Sequence, residues 1–402
     1  MKDTTPLYGA RPEVEENAPR IQLMGAAKKY GSTVAVYPLD LEIKKGEFVV
    51  ILGPSGCGKT TTLRMMAGLE MPTQGEVFLA GKNVTNLKAD KRDVAFVFQM
   101  FSLYSHMTVI ENVAFPMRAQ GLPVYEAQRR ASDMLRKLGI ERLAPLRPRK
   151  LSGGDQQRVG LARALVRQPT AFFMDEPMGA LDGGLREEVR ETLRAVHNHS
   201  GATTVFVTHD QSEAMSLADR IAVMRDGRLI QYDTPRNIYD SPADLFVADF
   251  VGSPGMNILA VRRQGEIIEL AGIPIRFRVA AEHGQEKNPA ANFAVNDHRE
   301  SSQSSTDCFL GIRPQNVVIT EEGAQGRVEH TQILGSYNLL SVRFGDIVIK
   351  AWLPAGIRFG EGESVGVNFL MAGCRWFSKP SETDYGLALP WRTLEVACPP
   401  FR

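Results

Sequence analysis

The octapeptide Gly53-Pro54-Ser55-Gly56-Cys57-Gly58-Lys59-Thr60 gathers residue types suited to holding phosphate. It fits GxxxxGK[ST], directly follows the apolar run 48–52, and opens a helix expected from Thr61 to Met66. Glycines let backbone N–H groups curl around phosphate oxygens, and a helix N-terminus adds partial positive charge. Lys59 is expected to reach the β- and γ-phosphates, and the Thr60 hydroxyl to ligate Mg²⁺. A Gly-rich turn without a ligand is the bland alternative, and the strand–loop–helix setting argues against it.

Four further residues have types and positions that suit work on a triphosphate. The run 171–174 is apolar and ends in Asp175 and Glu176. Such a strand places charge at the sheet edge where phosphate sits. Side chains alternate along a strand, so the two acids take different tasks: Asp175 holds Mg²⁺, and Glu176 polarises the attacking water as general base. His209 ends the apolar run 204–208 and reads either as a structural histidine or as a donor to the γ-phosphate. Gln99, after the run 94–98, has the same two readings, the functional one being contact with Mg²⁺ and the attacking water. Tyr30, just before a polar turn, is either an ordinary partly buried tyrosine or a ring that stacks on adenine. Such stacking is worth about 1–3 kcal/mol per base. Cys57 lies inside the phosphate loop, and the expectation is an accessible thiol whose alkylation blocks ATP binding.

A second Gly-rich helix entrance follows about a hundred residues later: Leu151-Ser152-Gly153-Gly154-Asp155-Gln156-Gln157-Arg158. Ser152 can cap the helix expected over residues 154–167, and the glycines expose its first N–H groups. This entrance is an anion site without a lysine of its own, which suits it to completing the phosphate site of another chain.

Positioning these groups requires a sheet with helices around it. From residue 21 to about 252, apolar runs at 48–52, 94–98, 171–174, 204–207 and 221–224 alternate with amphipathic helices, which predicts a parallel α/β sheet. Residues 101 to about 151 break the alternation and predict a helical lobe. Beyond Pro254 short alternating runs at 258–261, 266–270, 273–279, 308–312, 317–319, 339–344, 347–352 and 364–370 predict a small antiparallel β-barrel. The polar stretch 281–307 reads as an insertion within it, and residues 1–20 as a solvated tail.

Composition narrows the function classes. Lys+Arg 47 against Asp+Glu 46 gives a net charge of +1, so no overall basic field suits nucleic acid as the main partner. The four cysteines form no CxxC or Cys/His spacing, which argues against structural zinc or a disulfide framework. No charge-free apolar run approaches the roughly 20 residues of a membrane span, and residues 1–20 lack the apolar core of a secretion signal.

Residues 21 to about 259 resemble the ATP-binding cassette (ABC) ATPase family, with its motifs in the family's order. Tyr30 matches the adenine-stacking aromatic and residues 53–60 the Walker A loop, running on into Thr61. Gln99 matches the Q-loop, Ser152, Gly153, Gly154 and Gln156 the signature, Asp175 and Glu176 the Walker B pair, Asp182 the D-loop and His209 the switch histidine. Asp155 stands where the family usually has Gln, and Gly179 where Ser is more typical. Residues 101–109, the linker 249–257 (DFVGSPGMN) and 311–315 (GIRPQ) are similar to the maltose and glycerol-3-phosphate importer ATPases and their OB-like regulatory domain. Past about residue 370, at Trp376 and Phe377, the resemblance is expected to fade.

The resemblance implies a P-loop NTPase core of α/β class over residues 21–253, with a helical subdomain at about 101–165. An all-β OB-like domain follows over 254–402. It further implies ATP and Mg²⁺, a head-to-tail homodimer, two integral membrane permease subunits and, indirectly, a solute-binding protein. The place implied is the cytoplasmic face of the cell membrane. Sugar or polyol is the expected cargo, with polyamine, iron or sulfate as alternatives. A non-transport ABC ATPase acting on DNA or ribosomes, or a nucleotide-gated regulator, is the rival from another class.

Overall fold

The computed structural model describes residues 19–98, 102–167, 169–179, 181, 183–264, 267–270, 276–278, 306–321, 323–370 and 373–378. The chain divides into two units, Met1–Ile238 and Tyr239–Arg402.

The first unit holds two sheets. Strands β1 (Ile21–Tyr30), β2 (Thr33–Ile43), β4 (Gln74–Leu79) and β5 (Lys82–Asn83) pair antiparallel in the order β2-β1-β4-β5. Strands β3 (Phe48–Leu52), β6 (Val94–Val97), β7 (Ala171–Asp175), β8 (Thr203–Thr208), β9 (Arg220–Arg225) and β10 (Arg228–Asp233) form the other, in the order β10-β9-β3-β8-β7-β6. It is parallel except for β10, which runs antiparallel to β9. The central strands β3, β7 and β8 are buried at every position, as continuous apolar strands covered on both faces must be. The first, antiparallel sheet has no counterpart in the sequence reading. Register shifts at Leu23/Ala26, Ala26/Lys28 and Lys28/Lys29 blur the period-two pattern of β1, so its alternation is lost in one dimension.

Helix α1 (Lys59–Ala67) touches β1 and β2 as well as β7 and β8. The stretch expected to be helical contains α2 (Val109–Ala119), α3 (Val124–Lys137) and α4 (Gly153–Leu165), with α2 packed on both α3 and α4. Thr108 and Glu111 form a reciprocal capping box at the start of α2. Hydrogen bonds from the Thr108 backbone and side chain hold the Glu111 carboxyl below its ordinary range. Asn112, fully buried, donates to the Tyr104, Met107 and Thr108 carbonyls and fixes the loop before α2. Helices α5 (Gly183–Ser200) and α6 (Gln211–Leu217) flank β8 in sequence.

The second unit opens with the short helix Leu245–Phe250 and continues, among the described residues, mainly as strands. β11 (Asn257–Gln264), β12 (Ile267–Leu270), β13 (Arg276–Arg278), β14 (Thr306–Ile312) and β20 (Cys374–Ser378) form one antiparallel sheet; β15 (Val317–Thr320), β16 (Ala324–Ile333), β17 (Tyr337–Phe344), β18 (Ile347–Pro354) and β19 (Ser364–Phe369) form another. Leu310, Ile312, Leu340, Val342, Ile349 and Val367 fill their shared core. Asn257 ties the sheets by donating to the Ile312 and Lys350 carbonyls. Arg313 ties the first residues of this unit to its strands. Its buried guanidinium donates to the carbonyls of Tyr239, Ala248 and Val251 and lies 4.0 Å from the Tyr239 ring centroid. Desolvation pulls its pKa down to about 10. Of the expected insertion at 281–307, only Thr306 and Asp307 are described, at the start of β14; residues 1–18 of the expected tail lie outside the described residues.

Candidate nucleotide site and signature helix

Sheet register brings the candidate groups together. Leu52 of β3 pairs with Thr208 of β8, and Asp175 of β7 pairs with Val207. The carboxyl ends of the three strands therefore lie side by side, which is where open parallel sheets bind ligands. The loop 53–60 leaves β3, Glu176 follows β7 and His209 follows β8.

Two glycines explain the loop's shape. A side chain at Gly53 would run into the Met224 carbonyl. Gly58, the N-cap of α1, has φ of 97°, and a Cβ there would sit 2.7 Å from the Ala35 carbonyl. Ser55 and Gly56 are exposed, Pro54, Thr60 and Thr61 half-buried. Lys59 is 5% exposed, and its Nζ donates to the Gly53 and Pro54 carbonyls at 2.8 and 2.7 Å. The buried ammonium is thus satisfied by its own loop.

Thr60 donates its hydroxyl to Asp175 Oδ1 at 2.8 Å. Asp175 is 1% exposed, and burial raises its pKa, opposed by that hydrogen bond and by Arg64, whose Nη2 lies 3.9 Å from Oδ2. A hydroxyl and a carboxylate at hydrogen-bond distance are hard oxygen donors of the kind Mg²⁺ takes alongside substrate phosphates. Among the described residues no cluster of three or more His, Cys, Asp or Glu forms a metal cage of its own.

Glu176 sits at φ 46°, a left-handed conformation costly for a non-glycine residue. Its N–H donates to the Val207 carbonyl at 3.0 Å, and its Oε1 lies 3.4 Å from His209 Nδ1. His209 is largely exposed, while the Glu176 side chain is about one-fifth exposed. The sequence reading missed the groups beneath them. Thr208 donates to the buried Glu213 carboxylate at 2.6 Å, and Asp210 caps α6 through the Ser212 and Glu213 N–H groups. Burial raises the Glu213 pKa. An Asp three residues before a Glu, preceding an apolar stretch, was the available cue.

Tyr30 ends β1 with its ring 47% exposed, and Lys28 Nζ lies 5.1 Å from the ring centroid. Gln99 and Asp182 lie outside the described residues. The accessible thiol expected at Cys57 is overturned: the residue is 4% exposed, and burial raises its pKa against the lowering influence of Lys59. A loop that wraps phosphate with its backbone turns this small side chain inward.

At the second helix entrance Ser152 is the N-cap of α4, and Ser152 and Gly153 are exposed. Ser152 Oγ accepts the Asp155 N–H at 3.2 Å and donates to Asp155 Oδ2 at 2.9 Å. The other Asp155 oxygen pairs with Arg158. Gln156 donates to the Leu151 carbonyl, and buried Gln157 reaches the Glu176 carbonyl at 3.4 Å. Among the described residues, no hydrogen bond or ion pair joins Ser152, Gly153 or Gly154 to the loop 53–60.

Comparison with known proteins gives the family. The ABC transporter family matches residues 36–179, and the TOBE domain matches residues 310–377. The second match extends through Trp376 and Phe377, where the resemblance was expected to fade; β20 carries them into register with β14. The trehalose/maltose import ATP-binding protein of Thermococcus litoralis is 38% identical over 380 residues, 89% of this chain and 97% of that one. The spermidine/putrescine import ATP-binding protein of Thermobifida fusca is 40% identical over 351 residues, 84% and 87%. A dimeric ATP-binding cassette in a post-hydrolysis state, bound to ADP and Pi, superposes with TM-score 0.51 at 35% identity, covering 54% of this chain and 99% of its own. The chain belongs to the ATP-hydrolysing, ATP-binding subunits of ABC transporters, of the importer type that carries a TOBE domain behind the cassette.

Proposed function

We propose that this chain powers uptake of a sugar or polyol, as a head-to-tail homodimer beneath two integral membrane permease subunits served by a solute-binding protein. The observation that carries the dimer is the contrast between two helix entrances. One has Lys59, Thr60 and Asp175 around it; the other exposes Ser152 and Gly153, and among the described residues no lysine or arginine is hydrogen-bonded to them. A triphosphate on the first loop of one subunit would be completed by the second entrance of its partner. ATP then binds the closed pair better than the open one, which is the condition for shifting a population.

Within each site Tyr30 stacks on adenine, the backbone of residues 53–58 cradles the phosphates, and Lys59 moves its donors from the loop carbonyls to phosphate oxygens. Thr60, Asp175 and Gln99 would hold Mg²⁺, which would neutralise charge on the phosphates. Glu176 orients water as general base, His209 donates to the γ-phosphate, and Asp182 serves as the D-loop residue. The peripheral location at the cytoplasmic membrane face draws support from the transporter family and its importer relatives.

The Thermococcus relative supports a sugar; the Thermobifida relative favours a polyamine as the second reading. Solute-stimulated ATPase in the reconstituted transporter separates them. For the core mechanism, Glu176→Gln is expected to retain ATP binding, lose about 10²–10⁴-fold in turnover and accumulate as a dimer by sedimentation velocity. Normal turnover in this variant removes Glu176 as the base.

A further inference from the structure

The hydroxyl of Ser152 has one proton, and within the single chain that proton is already committed. Ser152 Oγ donates it to Asp155 Oδ2 at 2.9 Å and itself accepts the Asp155 N–H at 3.2 Å. The carboxylate is not free to swing away, because its other oxygen is paired with Arg158, whose side chain is one-tenth exposed. An ionised carboxylate accepts hydrogen bonds only, and a phosphate oxygen makes the same demand. Two anionic acceptors therefore compete for one donor.

We infer that Asp155 is a positioning residue that sets the ATP concentration at which two subunits close. It does so by holding the Ser152 proton until a partner-bound γ-phosphate displaces it. This rests on the reading that Ser152 completes the partner's nucleotide site. An Asn at this position offers a neutral amide oxygen, a weaker acceptor than a carboxylate. A Gln is likewise uncharged. Either one releases the serine hydroxyl more readily.

The test uses the full-length chain in the Glu176→Gln background, with dimer fraction followed by sedimentation velocity across a MgATP titration. Asp155→Asn and Asp155→Gln are each expected to lower the midpoint by about fivefold, the difference between a charged and a neutral hydrogen bond. ATP affinity of the isolated subunit, read at concentrations too low for pairing, should stay as it was. In a Ser152→Ala background the same changes at residue 155 should no longer move the midpoint, because the effect runs through the serine. An unshifted midpoint in both variants, or a shift that survives Ser152→Ala, overturns the inference while leaving the dimer intact. If neither the parent nor any variant pairs at saturating MgATP, the dimer reading falls and takes this inference with it.

Discussion

The phosphate loop before α1 and the serine–glycine entrance to α4 are built from the same local physics and end in opposite states. Each is a glycine-rich approach to a helix whose first N–H groups can meet an anion. The loop at 53–60 encloses a buried lysine and stands against a buried aspartate, so its chemistry is assembled within one chain. The entrance at 152–154 is capped, exposed and followed by a carboxylate that occupies its serine. The lesson is that a helix N-terminus supplies attraction, and only the side chains brought from elsewhere in the fold decide whether it forms a whole site or half of one.

Lys59→Ala against Ser152→Ala is the sharpest way to break this comparison. Removing Lys59 should weaken ATP binding to the isolated subunit by about 100-fold, the upper range for a charge-assisted hydrogen bond. Ser152→Ala should leave that affinity unchanged while costing α4 stability by about 1 kcal/mol through its lost cap. Calorimetric titration measures the first effect and thermal unfolding the second; equal losses of ATP affinity in both would erase the distinction. Tyr30→Ala comes next, with about a tenfold loss for ATP, within the range of a stacked base, and none for inorganic tripolyphosphate.

The smallest effect is on stability, and it concerns the pH dependence that Asp175 imposes. Burial raises its folded-state pKa, so its charge opposes folding at neutral pH, and that opposition fades as pH falls through the raised value. Asp175→Asn is therefore expected to raise the melting temperature at pH 7 by more than at pH 4, while abolishing Mg²⁺-dependent hydrolysis. Scanning calorimetry at the two pH values checks the sign.

Much of the first unit was legible from sequence because its signals are local. Short apolar runs bounded by turn residues fit strands buried on both faces, and β3, β7 and β8 are buried at every position. The cap at Ser152 and the helix after Thr60 follow from residue type at fixed offsets. The antiparallel sheet was not legible, because bulges in β1 break its alternation. Nor was the burial of Cys57, since a side chain's direction in a wrapped loop depends on neighbours from β9 and β2. Arg313 ties the first residues of the second unit to its strands through partners that lie 62 to 74 residues away along the chain.

By itself the sequence determined the types and spacings: a phosphate loop, an acid pair at a strand end, and a second helix entrance without a lysine. Those features are short-range, and backbone sterics and propensity suffice to specify them. Only the tertiary structure decided which groups meet. Parallel pairing of β3, β8 and β7 carried Thr60 to Asp175 and His209 to Glu176 across gaps of 115 and 33 positions. Burial, a property of the packed whole, then raised the proton affinity of Asp175, Glu213 and Cys57.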